Sequence, residues 1–299
     1  MKVKPSTKGF NKRVTSTETA LLREYGKSLK TVKAQVLAIY EKYASGGVMT
    51  YAEMTKYNRL NNLFKSITLE IGKLSGKTQT GINTLAADAY EESFFRMGYA
   101  IETRASEVAG AAVNLGFGGL QPAVIKAAVE NPMRYIAFAG LKTSMLIKAR
   151  STITQGLIQG LSYFDMAKQI QADFEGRASS AIRIARTEAG RAQSLGNVAA
   201  IDTAVEGGAE VRKFWIATMD GRTRDSHAHM DGKNADEDGM FKLAGMKVPG
   251  PMADGLPAGE TINCRCTLGV DIEGVKRGAR RYPDGVAPYK TYEEWRDGK

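Results

Sequence analysis

The sequence predicts an α+β protein, with a mostly α-helical N-terminal two thirds followed by a small α+β unit holding a short β-sheet and long loops. Three observations carry this. Apolar residues recur at helical spacing as far as Val205, the period changes to two after Gly207-Gly208, and a stretch rich in glycine and proline separates the last two predicted strands. The 299 residues, 43% of them apolar, suffice to bury a sizeable core in one or two domains.

Residues 1–15 are polar and basic without periodicity and are expected to form a flexible arm. From a cap at Ser16 or Thr17, the residues Leu21, Leu22, Leu29, Val32, Val36 and Ile39 draw a helical stripe that Ser45-Gly46-Gly47 ends near residue 43. A second helix is expected over about 51–74 and a third over about 83–108, so the first 110 residues read as an antiparallel helical array. After the glycine-rich break at 116–119, helices resume over 122–129 and 133–151.

Ser162 and Asp165 have the spacing of a capping box with Asp in place of Glu. They open a helix with Met166, Ile170 and Phe174 at four-residue steps, expected to stop at Gly176. The next helix, from Ser179 or Ser180 to about Val205, carries Ile182, Ala185, Ala189 and Ala192 on one face, small enough for close packing on a neighbour. Residues 211–218 read as a strand ended by Asp220-Gly221, 240–243 as a short strand and 262–271 as a third. Between the last two, residues 244–259 hold four glycines and three prolines and read as a long irregular loop. In the tail, Tyr289, Tyr292 and Trp295 stand three apart, consistent with a short helix docking on the body. The expected domains are an arm at 1–15, a helical domain at 16–150, a third segment at 151–272 and a tail at 273–299.

Charge is uneven. Residues 1–80 hold 15 Lys and Arg against 5 Asp and Glu, whereas residues 81–299 hold 27 of each, so the net charge of +10 belongs to the N-terminal quarter. Such a surplus fits an acidic partner, nucleic acid or protein, with Lys2, Lys4, Lys8, Lys12 and Arg13 as candidate contacts; a solvated helical face is the competing reading. No apolar stretch follows the basic N-terminus as in an export signal. The long uncharged stretch between Glu107 and Lys126 is interrupted by Asn114, Gln121, Pro122 and four glycines, so no membrane span is expected. Two cysteines at i,i+2 cannot staple distant parts of a fold, and they suit a reducing compartment.

Both histidines and both cysteines fall within forty residues: His227 and His229, then Cys264 and Cys266. These residue types bind zinc, the one cofactor for which the sequence has candidate ligands. Strand parity over 262–270 would turn both thiols inward with Ile262, Leu268 and Val270, which also allows them to be small buried hydrophobes. No Walker A loop, G-x-S-x-G elbow or H-E-x-x-H motif is present. A Cys–His nucleophile pair is weakened by the inward-pointing thiols. The more plausible enzyme is a metal-dependent hydrolase or nuclease using His227, His229, Asp231 and Glu260.

The helix Ile184-Ala-Arg-Thr-Glu-Ala-Gly-Arg-Ala-Gln-Ser-Leu-Gly-Asn197, the strand ending in Phe214-Trp215, the segment Met219-Asp-Gly-Arg-Thr-Arg-Asp-Ser-His227 with Met230-Asp-Gly232, and Ile262-Asn-Cys-Arg-Cys266 occur in order. Together they resemble the Mu protein F-like phage head morphogenesis family, the minor head or minor capsid proteins of tailed phages, over roughly residues 150–272. The resemblance implies a non-enzymatic virion protein of the head interior, assembled in the host cytoplasm near the portal. It further implies portal, scaffold or major capsid protein as partners, with phage DNA as another contact. Where many members carry Cys-x-x-Cys, this chain has Arg224-Asp-Ser-His227, and where they carry His-Pro it has Thr261-Ile262. If metal binds, the expected ligands are His227, Cys264 and Cys266, with His229 or Asp231 fourth. Arg186, Glu188, Trp215, Arg222, Arg224, Glu260, Asn263 and Arg265 are read instead as a structural network of paired charges and packed loops.

Overall fold

The computed structural model describes residues 2–275, 280–281 and 291–299. Its elements are β1 (Lys2–Val3), α1 (Lys8–Tyr43), α2 (Tyr51–Thr55), α3 (Arg59–Ala109), β2 (Val113–Asn114), α4 (Pro122–Val129), α5 (Pro132–Ile158), α6 (Tyr163–Glu206) and β3 (Ala209–Ile216). Then follow α7 (Asp225–Ala228), β4 (Phe241–Leu243), β5 (Met246–Val248), α8 (Ala258–Thr261), β6 (Thr267–Val275), β7 (Arg280–Arg281) and α9 (Tyr292–Asp297). The expected class holds: mostly helical, with a few short antiparallel strands.

Two of the helices are longer than the sequence suggests. The expected second helix opens in the short α2, and past the kink at Tyr57 its remainder runs on with the expected third helix in one helix, α3; the expected break at Gly176 lies inside α6. A glycine costs a helix interior about 1 kcal/mol, which flanking burial offsets. Phe174 and Ala178, on either side of Gly176, are both in the core.

The chain forms two compact units that do not follow sequence order. One comprises Thr15–Asn83 and Asn131–Ala185, the other Met1–Val14, Thr84–Glu130 and Arg186–Lys299. The boundary expected at 15 falls within one residue of a unit boundary, whereas those expected at 150 and 272 lie inside compact units. In the first unit, helical stripes meet in one core: Tyr25, Val32, Val36 and Tyr40 of α1, Leu60, Leu63, Ile67 and Ile71 of α3, Met145, Ala149, Ile153 and Leu157 of α5, and Met166, Ile170 and Phe174 of α6. Tyr25 and Tyr40 take part in this stripe, while Leu22 is exposed. Ser162 caps α6, its Oγ accepting from Asp165 N at 3.2 Å.

In the second unit the helical partners are the later turns of α3 and α6, and they approach closely. A Cβ at Gly196 would lie 2.3 Å from Tyr90 O, so only glycine fits there. The three-stranded sheet has the order β1-β6-β3, antiparallel throughout, with Trp215 opposite Leu268 and a bulge at Glu210/Val211. β4 and β5 form a hairpin across Ala244-Gly245, both with positive φ, the conformation that a tight two-residue turn requires. This hairpin and the short helix α8 order part of the expected irregular loop. The helix α9 seats Trp295, 1% exposed, against Phe95, Tyr99 and Phe117, so the tail docks as expected; Tyr289 lies outside the described residues.

The N-terminus departs from its expectation as a free arm. Val3 pairs with Val270 on the edge of β6, and α1 starts at Lys8 rather than Ser16. Edge-strand pairing is tertiary and leaves no trace in so short a segment. No helix among the described residues is long and apolar enough to cross a membrane.

Candidate metal centre

β3 ends at Ile216, and the chain then turns through Asp220–Thr223 into the single helical turn α7. The return segment is clamped onto β3, with Gly232 N donating to Trp215 O at 2.8 Å and Trp215 N to Lys233 O at 2.9 Å. This clamp places His227 inside the unit, 2% exposed, with its ring centroid 6.0 Å from that of Trp215.

The cysteines come from the other side of the sheet pair, between α8 and β6. They are not on a strand: β6 starts only at Thr267, and Asn263 has φ +55°, a left-handed conformation that Asn tolerates better than most residues. Both sulfurs are nonetheless buried, each cysteine 6% exposed, while Ile262 is exposed. Alternation along a strand therefore does not explain their burial. The local turn does, with Cys266 N 3.4 Å from Cys264 Sγ.

His227 and the two cysteines meet. His227 Nδ1 is 3.5 Å from Cys264 Sγ and 3.2 Å from Cys266 Sγ, and the three donor atoms lie within 4.8 Å of one another. On the far side of the ring, Nε2 is 2.8 Å from Glu260 Oε2, which also accepts from Ser226 Oγ at 2.9 Å. Hydrogen bonding with Cys264, and then Glu260, raises the basicity of His227 against the opposing effect of burial. The two thiols share one site: Cys264 ionises more readily than an ordinary thiol because Cys266 and His227 hydrogen-bond to it, and Cys266 is correspondingly harder to ionise. Beside the cluster is a cavity of about 20 Å³, lined among others by Thr218, Arg222, Arg224 and Arg265, with room for a single water.

The other candidate ligands stand apart. His229 is exposed, with Nδ1 2.7 Å from the Asp225 carbonyl oxygen, and Asp231 accepts from Ala217 N at 2.9 Å. Among the described residues the group of potential metal donors at this site holds neither, so the hydrolase constellation of His227, His229, Asp231 and Glu260 does not assemble. Several members of the expected structural network do make contacts here. Arg265 grips Asp220, with Nη2 2.6 Å from Oδ1, and Arg224 Nη2 donates to Ile262 O at 2.6 Å. Arg222 is mostly exposed, 4.0 Å from the Asp220 carboxylate, and Glu188 is buried on α6 while Arg186 on the same helix is exposed.

The sequence did not single out Thr187, Gly190 and Asn197, the residues of α6 that hold the cysteine segment. Thr187 Oγ1 accepts from Asn263 N at 3.2 Å, and Asn197 Nδ2 donates to Thr267 Oγ1 at 3.0 Å. A Cβ at Gly190 would meet Met252 Sδ at 2.7 Å and Cys264 O at 3.4 Å. Their spacing on one helix face was the available signal. At the N-terminus, Arg13 is committed to Asp88 and Glu92, while Lys4, Lys8 and Lys12 are exposed; the side chain of Lys2 lies outside the described set.

The family described as Phage Mu protein F like protein matches residues 148–269, from late α5 into β6. The minor head protein GP7 of Bacillus phage SPP1 is 30% identical over 298 residues, 96% of this chain and 94% of that protein. A protein of Enterococcus faecalis (strain ATCC 700802 / V583) named NAD(+)--arginine ADP-ribosyltransferase EFV is 29% identical over 93% of this chain but only 56% of its own length. No solved structure matches the chain. With similarity to GP7 running along nearly all of both proteins, and the family match spanning the helix, sheet and cysteine segment, the chain belongs to the Mu protein F-like family of phage minor head proteins.

Proposed function

We propose that this minor head protein acts as an architectural component inside the procapsid, close to the portal, touching portal, scaffold or major capsid protein as the head assembles in the host cytoplasm. The observation that carries this is the similarity to SPP1 GP7 along 94% of that protein. The character of the His227–Cys264–Cys266 cluster favours structure over turnover. Binding sites for small organic ligands run to roughly 300–1,000 Å³, whereas the cavity beside His227 holds about 20 Å³. The Enterococcus protein whose name carries a transferase activity is matched over only 56% of its length.

The test is composition of particles. Procapsids and mature heads from a phage carrying the intact gene should contain the chain, and crosslinking should join it to portal or capsid subunits; absence from both kinds of particle would remove the proposal. A second role, contact with packaged DNA, is favoured by the exposed Lys4, Lys8 and Lys12. Because residues 2–3 pair into the sheet, charge reversal is the better probe than truncation. Replacing the three lysines by Glu should weaken salt-dependent DNA binding and lower its salt slope by roughly 3, about 0.9 per phosphate contact. An unchanged slope would exclude this surface.

A further inference from the structure

We propose that His227 Nδ1, Cys264 Sγ and Cys266 Sγ bind one zinc ion that fastens the α7 turn to the start of β6, with a water in the fourth place. The reading as a head protein does not require it, and the two stand or fall separately.

The donor spacing fits. Zinc bonds of about 2.3 Å to sulfur and 2.0 Å to nitrogen make the S···N edge of a tetrahedron roughly 3.5 Å. The two S···N separations are 3.2 and 3.5 Å. The histidine is presented correctly as well. Glu260 Oε2, 2.8 Å from Nε2, holds the proton on that nitrogen and leaves the Nδ1 lone pair facing the sulfurs, the arrangement in which a carboxylate orients a metal-bound imidazole.

Charge and hydrogen bonding point the same way. Two thiolates neutralise the dication, so the assembled centre carries no net charge into a site where all three residues are buried. The indole Nε1 of Trp215 is buried with no partner at full hydrogen-bond distance, and its N–H acts on the Cys266 sulfur. Trp215 packs edge-on against the His227 ring, and a metal-bound thiolate offers the acceptor such a donor needs. The neighbouring cavity, large enough for one water, supplies the fourth ligand and no room for a substrate. A nucleophilic Cys264–His227–Glu260 triad uses the same contacts, but it leaves unexplained why Cys266 Sγ is also directed at Nδ1.

The experiment is metal analysis of the full chain, purified without chelator and incubated with zinc or cobalt. The expected result is one equivalent of either ion per chain, with the intense thiolate-to-metal absorption of tetrahedral cobalt. The ion should be lost in Cys264→Ser, Cys266→Ser and His227→Ala, retained in His229→Ala and Asp231→Asn, and bound roughly 10–100-fold more weakly in Glu260→Gln. Should the cysteine variants fail to fold, the wild type still decides: zinc release on mercurial titration of its thiols should track thiol loss. A wild type that takes up neither ion, zinc release independent of the thiols, or loss of the ion in His229→Ala would overturn the proposal.

Discussion

Replacing Trp295 by Ala should unfasten the C-terminal helix and take about 4–5 kcal/mol from the stability of its unit. The indole is 1% exposed among Phe95, Tyr99 and Phe117. A buried tryptophan covers roughly 150–250 Å², which at about 25 cal/mol per Å² sets an upper bound near 4–6 kcal/mol. Measured Trp-to-Ala losses in cores are about 3–5 kcal/mol. The indole N–H also donates to Glu102 Oε1 at 2.9 Å. Glu102 keeps other donors after the change, Lys299 Nζ at 3.0 Å and Leu115 N at 3.2 Å, so this loss adds only about 1 kcal/mol. Trp295→Phe keeps one aromatic ring in the pocket and removes the N–H donor together with the five-membered half of the indole, for about 1–3 kcal/mol, less than the alanine variant. Urea unfolding followed by the fluorescence of Trp215, the other tryptophan, reads both variants. If Trp295→Ala costs under about 1 kcal/mol, α9 does not contribute to the core and the reasoning fails; if Phe costs as much as Ala, the hydrogen bond and not the ring holds the helix.

The glycines of α6 give opposite predictions. Gly196→Ala should destabilise by about 1–3 kcal/mol because its methyl would enter the Tyr90 carbonyl, whereas Gly176→Ala, with nothing within 4 Å, should stabilise by about 0.5–1 kcal/mol; thermal melts of the two variants check the contrast. Burial pushes the Tyr25 hydroxyl up to about 12 from an ordinary 10. A raised pKa favours the neutral phenol, so the associated stability is full below pH 10 and lost as pH rises toward 12, by about 2–3 kcal/mol. The stability difference between wild type and Tyr25→Phe, followed by circular dichroism across that range, should shift by this amount in favour of the variant.

Local pattern served the helices well because their information is local. The steps of four at Met166, Ile170 and Phe174 needed only a single apolar face to be right, and all three are in the core. What misled was punctuation. Glycine at 176 costs little where neighbours on both sides are buried, so α6 runs on, and the units that share this helix cannot be cut at a residue number near 150. The N-terminus departs from its local pattern for the converse reason: two residues of β1 are ordered by a strand some 270 positions away. At the centre, inward thiols were anticipated by strand alternation, but the chain reaches that burial through Asn263 and a turn. Composition singles out His227, Cys264 and Cys266, whereas the separation of His229 and Asp231 from them depends on backbone geometry that spacing does not encode.

The motif helix and the cysteine segment occur together because each supplies what the other lacks. Residues 262–266 form neither helix nor strand, so their backbone groups need partners from elsewhere. Thr187 takes Asn263 N, Arg224 takes Ile262 O, and Thr218 Oγ1 donates to Arg265 O at 3.0 Å. Gly190 clears the space in which Cys264 O comes close to the helix. Each contact joins segments far apart in sequence, so substituting one end leaves a backbone group without its protein partner or a gap unfilled at the other, a cost of about 0.5–1.5 kcal/mol for each hydrogen bond. A family signature of this kind is a set of mutual obligations around one loop. It persists whether or not a metal completes the centre, which is why the head-protein reading and the zinc proposal answer to different experiments.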